Sequence, residues 1–240
     1  MSVRVFAVDI SARLNDSVDD WLKFFSSERR EKILAYRFNA DRNRTLWAEL
    51  LARRVVAEKF SCPLEKVQLY RDAKGKPRVA DLPVEISLSH AGSWVVCSVG
   101  DVQSGVDVEF DSTDAIDIAE RFFLPSEYEK IISLNETLRG RQFLRYWTLK
   151  ESYFKLTGVE NFLHVDSEKI LDGDGGVVGK NFFLNDGAVV GVCTYKYVGG
   201  HLNEKCPVDT NPVGNLFGML EYAGQRSIQR AFSFEIGRKR

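Results

Sequence analysis

Residues 86–110 read Ile86-Ser-Leu-Ser-His-Ala-Gly-Ser-Trp-Val-Val-Cys-Ser-Val-Gly-Asp-Val-Gln-Ser-Gly-Val-Asp-Val-Glu-Phe110. Ile86–His90 alternates apolar and polar side chains, the period of a half-buried strand, and Ala91-Gly-Ser93 is a tight connection. Trp94–Val99 is an apolar run short enough for a strand. Gly100–Gly105 turns again into Val106-Asp-Val-Glu-Phe110. Three strands joined by short turns predict an antiparallel meander. Upstream, Val67–Arg71 reads as a short strand, and Asp72-Ala-Lys-Gly-Lys-Pro77 as a turn carrying Lys74 and Lys76.

Further out, Val3–Ile10 predicts a first strand, and Val18–Phe25 and Glu28–Phe38 carry helical signals. Asp41 is a plausible N-cap for a helix reaching Phe60, in which Leu46, Trp47, Leu50, Leu51 and Val55 form an apolar face. On that reading Arg44 falls in the first turn, where a cation opposes the helix dipole and needs another reason to be present. Downstream, helices are predicted at Ile116–Phe123, Ser126–Leu134 and Gly140–Leu156. Beyond Asn161 the pattern is strand-like, with Gly173–Gly179 as a hairpin and Ala188–Tyr197 as an apolar strand. The expectation is an α+β chain of two similar halves, each an antiparallel sheet packed on helices. The halves span residues 1–103 and 104–205, and residues 206–240 form a tail of unassigned role.

The 240 residues carry 33 Lys plus Arg against 34 Asp plus Glu. A formal net charge of -1 gives no electrostatic footprint for nucleic acid. No apolar window approaches the roughly 18–20 residues of a membrane span, and Asp9 and Arg13 interrupt the N-terminal run before a signal-peptide core could form. Cys62, Cys97, Cys193 and Cys206 lie far apart without CxxC spacing, which argues against a zinc site and a disulfide framework. A cytoplasmic setting is expected, with neither nucleic acid nor membrane as partner.

Asp107 and Glu109, two apart on one strand, project from the same face, while Val106, Val108 and Phe110 take the other. A lone DxE on a strand is more often a solvated face. Trp147, Glu151 and Lys155 follow i, i+4, i+8 and line one helical stripe. An ordinary Glu–Lys surface pair is the plain alternative, yet this stripe adjoins Leu149, Tyr153, Phe154 and Leu156. If Glu151 joins Asp107 and Glu109, three oxygen donors suit Mg²⁺ shared between protein and a substrate phosphate, with Lys155 placed to neutralise phosphate oxygens. Taken singly, Ser89, His90, Lys74 and Lys76 read as a strand end and a solvated turn.

Together these residues resemble a known family. Gly105-Val-Asp-Val-Glu109, Phe123-Leu-Pro-Ser-Glu127 and Trp147-Thr-Leu-Lys-Glu-Ser-Tyr-Phe-Lys155 are similar, in order and spacing, to the motifs of 4′-phosphopantetheinyl transferases. The closer resemblance is to the Sfp-type branch, whose single chains hold two similar halves. Asn43-Arg-Thr-Leu-Trp-Ala-Glu-Leu-Leu51, Gly75-Lys-Pro77 and Ile86-Ser-Leu-Ser-His-Ala-Gly-Ser-Trp94 add further matches. The resemblance covers about residues 25 to 160. Gly158-Val-Glu-Asn161 departs from it where the family usually has a second glycine. So does Gly200-His-Leu-Asn-Glu-Lys-Cys-Pro207, where the family has an apolar closing strand.

The resemblance implies transfer of phosphopantetheine from coenzyme A to a serine of an acyl or peptidyl carrier protein, releasing adenosine 3′,5′-bisphosphate. It implies that Asp107, Glu109 and Glu151 hold Mg²⁺ and that Lys155 offsets charge on the pyrophosphate. Glu151, or a water held near Glu109 or Glu127, would take the serine proton. His90 and Arg44 match grips on the 3′-phosphate, Arg29 and Lys32 match looser basic contacts, Lys76 and Pro77 border the adenine, and Ser89 meets the pyrophosphate. The carrier is expected to dock between Phe122 and Leu144, and a monomer suffices if both halves build one site. A non-catalytic coenzyme A or carrier-protein binding module on the same fold is the alternative reading.

Overall fold

The computed structural model describes residues 2–110 and 113–196 and the backbone of 232–236. In chain order the elements are β1 (Val3–Asp9), α1 (Asp19–Leu22), α2 (Ser27–Leu34), α3 (Asn39–Phe60), β2 (Leu69–Arg71), β3 (Pro77–Val79), β4 (Glu85–Ala91), β5 (Trp94–Gly100) and β6 (Ser104–Glu109). They continue with α4 (Ala115–Phe122), α5 (Pro125–Ile132), α6 (Glu136–Thr157), α7 (Ser167–Asp172), β7 (Val177–Phe183), β8 (Val189–Tyr195) and β9 (Phe232–Ile236). One sheet runs β4-β5-β1-β9, a second β6-β8-β7, and β2-β3 is a separate hairpin. Every pairing is antiparallel.

The strands are apolar on both faces because each sheet is covered twice. Phe6, Val8, Val95, Cys97 and Val99 pack with Leu46, Leu50 and Val55 of α3. The alternate residues Val5, Ala7, Trp94 and Val96 face the second sheet and meet Val106, Val108, Val190 and Val192. Strand alternation thus sorts one continuous apolar run into two cores. On its far side the second sheet is roofed by α6, whose Leu149 packs with Ile170 and Cys193. The layers are therefore α3, first sheet, second sheet, α6: two α+β halves joined sheet to sheet.

Two glycines bring α6 directly onto β6 and β8. A Cβ at Gly105 would strike the Ser152 carbonyl oxygen and lie 2.8 Å from Leu156 N. One at Gly191 would strike the Thr148 carbonyl oxygen and lie 2.9 Å from Thr148 Cβ. At the helix's N-terminus Asn135 Oδ1 accepts from Leu138 N at 3.1 Å, and Gly158, at φ 72, follows Thr157 as its left-handed stop.

Several expectations are corrected. The three-strand meander breaks after β5: β6 leaves for the second sheet and meets β4 only through contacts such as Val106 N donating to Ser87 Oγ at 3.2 Å. The long helix starts at Asn39, so Asp41 lies inside its first turn and Arg44 in its second. The segment after Asn161 holds the helix α7, capped by Asp166, whose Oδ1 accepts from Glu168 N at 2.9 Å. Gly173–Gly179 is no hairpin: Gly173 ends α7 and Gly179 lies within β7, and the hairpin turn falls at 184–188. Gly200–Pro207, Cys206 and most of the 206–240 tail lie outside the described residues. β9, from that tail, pairs with β1 in the register Val3 to Ile236 through Ala7 to Phe232.

Candidate active site

Asp107 lies on the face of β6 that α6 covers, only 3% exposed. Its Oδ1 accepts from Ser89 Oγ at 2.7 Å and from Lys155 Nζ at 2.6 Å, and Lys155 Nζ also donates to Ser89 Oγ at 3.0 Å. This three-way contact joins β4 of the first half to β6 and α6 of the second. Lys155 therefore pairs across the helix–sheet interface rather than along its own helix with Glu151. Asp107 Oδ2 is buried with no hydrogen-bond partner among the described residues, and such an orphaned acceptor costs about 1–3 kcal/mol.

Glu109 and Glu151 gather beside this network. Burial first, and then the negative charge of Asp107, pushes the Glu109 carboxyl up to about 7, while a hydrogen bond from Trp147 and the charge of Lys155 pull the other way. Burial and Asp107 likewise raise Glu151, against the pull of Lys155. Three acids, one of them with an idle buried oxygen, share one ammonium. Among the described residues no group of three or more His, Cys, Asp or Glu side chains is placed, as it stands, to hold a metal ion. The donor set nevertheless suits a hard divalent cation: carboxylate oxygens, mutual repulsion to relieve and an acceptor to satisfy.

The basic side chains nearest this network come from the first half. Arg44 Nε donates to the Gly92 carbonyl at 2.7 Å, and its Nη1 pairs with Asp41 Oδ1 at 2.6 Å. The guanidinium thereby ties α3 to the β4–β5 turn beside His90, a reason for its presence that does not depend on the helix dipole. The His90 side chain reaches solvent, yet the protein crowded around it lowers the imidazole pKa, and Lys155 and Arg44 add to the effect. Arg44, Ser89, His90, Asp107, Glu109, Glu151 and Lys155 thus form one neighbourhood.

The remaining sequence-derived residues have other partners. Arg29 Nη2 pairs with the buried Glu49 at 2.7 Å, and Lys32 with Glu28 at 2.6 Å on the exposed face of α2. Glu49 also meets Arg71 at 3.2 Å, and Arg71 donates to the Gly75 carbonyl at 3.2 Å. Glu49, unremarked in the sequence, therefore ties Arg29 and the Gly75-Lys-Pro77 turn to α3. Lys76 is half-buried, its pKa lowered by burial and by Arg78, and Pro77 opens β3.

Glu127, expected as a holder of water, has both carboxylate oxygens engaged by protein instead. It is 1% exposed, its Oε1 accepts from Ser167 N at 2.8 Å, and its Oε2 takes Leu124 N at 3.1 Å and Lys150 Nζ at 2.8 Å. Phe123 is likewise a core residue, stacked on Phe143 at 5.3 Å and on Trp147 at 6.3 Å. Sequence reasoning also missed Trp94 Nε1 donating to Asp186 Oδ2 at 2.7 Å, a further tie between the halves.

The sequence that builds these two halves matches known families. Residues 103–197 match the 4′-phosphopantetheinyl transferase superfamily, and residues 15–101 match its 4′-phosphopantetheinyl transferase N-terminal family. The chain is 33% identical over 162 residues to the 4′-phosphopantetheinyl transferase psf-1 of Bacillus pumilus, covering 65% of this chain and 69% of that one. It is 28% identical over 167 residues to the 4′-phosphopantetheinyl transferase Sfp of Bacillus subtilis (strain 168), covering 69% and 75%. It is also 33% identical over 158 residues to the L-aminoadipate-semialdehyde dehydrogenase-phosphopantetheinyl transferase of Mus musculus, covering 58% and 51%. The chain belongs to the 4′-phosphopantetheinyl transferase superfamily, on its Sfp-type branch, and is a transferase of that class.

Proposed function

We propose that the protein moves 4′-phosphopantetheine from coenzyme A to a serine hydroxyl of an acyl or peptidyl carrier protein, with Mg²⁺, releasing adenosine 3′,5′-bisphosphate. The observation that carries this reading is the Ser89–Asp107–Lys155 contact, which sets an ammonium, a hydroxyl and an acid with an idle oxygen where the two halves meet. Asp107, Glu109 and Glu151 are the residues that would hold Mg²⁺. When bound, the ion supplies Lewis-acid stabilisation of the pyrophosphate oxygens.

In the transfer, the serine oxygen bonds to the phosphorus that carries the pantetheine arm, and the bond from that phosphorus to the pyrophosphate bridging oxygen breaks. The electron pair leaves with adenosine 3′,5′-bisphosphate. Lys155 stands beside Ser89 and Asp107 to offset charge growing on that leaving group. Glu151 and Glu109 are the carboxylates open to take the serine proton, since both oxygens of Glu127 are engaged. His90 and Arg44 grip the 3′-phosphate, Ser89 the pyrophosphate, and Lys76 and Pro77 border the adenine. Arg29 and Lys32 serve as outer basic contacts, and the exposed Lys32–Glu28 pair is weak enough to exchange for a phosphate.

Carrier docking is assigned to the α4–α6 region, through exposed Phe122, Ile132 and Leu138 rather than the buried Phe123 and Leu144. Because one chain supplies both sides of the cleft, a monomer can act alone. Among the described residues no helix is long and apolar enough to cross a membrane. The test is Mg²⁺-dependent formation of adenosine 3′,5′-bisphosphate from coenzyme A and apo-carrier by wild type and Asp107→Ala. Turnover by the variant near the wild-type rate would remove the metal assignment. Coenzyme A binding without any transfer by wild type would favour the non-catalytic module instead.

A further inference from the structure

Lys150 precedes Glu151 in the chain, and the turn of the helix sends the two in different directions. Lys150 is fully buried, and its Nζ donates to the Leu163 carbonyl at 2.8 Å, to the Val165 carbonyl and to Glu127 Oε2 at 2.8 Å. The ammonium also lies 5.0 Å from the Phe123 ring centroid. Glu127 in turn holds Leu124 N and Ser167 N. One ion pair therefore fastens α6 to the α4–α5 junction, to α5 and to the segment leading into α7.

We propose that the Glu127–Lys150 pair positions the transferase site by fixing the place and rotation of α6 over β6, so that Glu151 and Lys155 meet Asp107. The inference rests on the function proposed above. A buried ion pair is a poor source of stability, since apolar side chains of similar volume often serve as well. The distribution of its bonds points to geometry instead. The segments it fastens belong to neither sheet, while on the sheet side Gly105 and Gly191 meet the helix backbone with no side chain of their own. Glu151 and Lys155 are one residue and just over one helical turn from the fastening point, so a small rotation there displaces both. Misplacement of reacting groups by about 1 Å is enough to lower a rate by about 100-fold. Neither Glu127 nor Lys150 touches the Ser89–Asp107–Lys155 network, so both are positioning residues.

The test uses the double variant Glu127→Gln/Lys150→Met, which removes both charges together, and the milder Glu127→Gln. The milder variant keeps an acceptor for a backbone N–H and leaves Lys150 its two carbonyls, so a folded protein is available even if the double variant unfolds. Single-turnover transfer should fall about ten-fold or more in the double variant and several-fold in Glu127→Gln. Without Mg²⁺, coenzyme A affinity should stay within about two-fold, because the 3′-phosphate and adenine contacts lie on the first half. Crystal structures of the variants should show Lys155 withdrawn from Asp107. Folded variants that transfer at the wild-type rate with the Lys155–Asp107 contact intact would overturn the proposal. So would affinity and rate falling in parallel with melting temperature, the mark of a merely structural pair. If wild type transfers nothing to any carrier, the functional reading fails, and the crystal structures still decide whether the pair sets the helix.

Discussion

Replacing Gly105 by Ala should damage catalysis far more than its one methyl suggests. The new Cβ would overlap the Ser152 carbonyl oxygen and stand 2.8 Å from Leu156 N, where ordinary contact is 3.4–4 Å. Both atoms are helix backbone and cannot swing aside, so α6 has to retreat from β6 by about 1 Å. Overpacking of this kind costs about 1–3 kcal/mol. For a chain of this size each kcal/mol is about 2–4 °C, so the melting temperature should fall by roughly 2–12 °C. The same retreat draws Glu151 and Lys155 away from Asp107, and a ~1 Å error at a reacting centre costs about 100-fold in rate. Gly100→Ala is the comparator. Its Cβ would strike the Ser2 carbonyl oxygen and lie 2.9 Å from Val3 Cγ2, an overlap confined to the β1–β5 edge. Differential scanning calorimetry and turnover at a temperature where both variants are folded should show similar losses of stability, with turnover lost only in Gly105→Ala. Near-normal turnover by Gly105→Ala, or an equal loss by Gly100→Ala, would refute the reasoning.

Other outcomes follow from the same geometry. His90→Ala should weaken coenzyme A by about ten-fold, the worth of one charge-assisted hydrogen bond, and leave 3′-dephospho-coenzyme A nearly unaffected. Equal losses by calorimetry would reject the phosphate role. The lowered His90 pKa leaves the free imidazole neutral at pH 7, and a bound 3′-phosphate favours its protonation. Coenzyme A affinity should therefore rise as pH falls below neutrality, and that rise should vanish in His90→Ala. Asp186→Asn weakens the hydrogen bond from Trp94 between the halves. Because Asp186 is exposed, the cost should be about 1 kcal/mol, or roughly 2–4 °C by calorimetry.

Much of this arrangement was readable from strand and helix periodicity. Val106 and Val108 alternating with Asp107 and Glu109 put core and carboxylates on opposite faces of β6, as alternation requires. The spacing of Trp147, Glu151 and Lys155 set them on one stripe of α6. Which sheet a strand joins is a different matter. The turn at Gly100–Gln103 looks like a hairpin connection, and nothing local distinguishes a return to the first sheet from a crossing to the second. Arg44 was placed by an assumed cap at Asp41, and the helix start at Asn39 with no side-chain cap moved it a turn inward. The helix α7 leaves no periodic signal, because six residues are too few to show one, and only Asp166 and Gly173 mark it as cap and stop. The motif around Glu127 points to a chemical role. Its buried pairing with Lys150 spans 23 residues and has no sequence signature.

The central claim is that the cleft between the halves transfers phosphopantetheine with a metal held by Asp107, Glu109 and Glu151. Its most direct test is the intact mass of an apo-carrier protein after incubation with this protein, coenzyme A and Mg²⁺, alongside an EDTA control. The account predicts a gain of one phosphopantetheinyl group that disappears with EDTA. An unchanged mass across acyl and peptidyl carriers, or a gain that persists undiminished in EDTA, would contradict it.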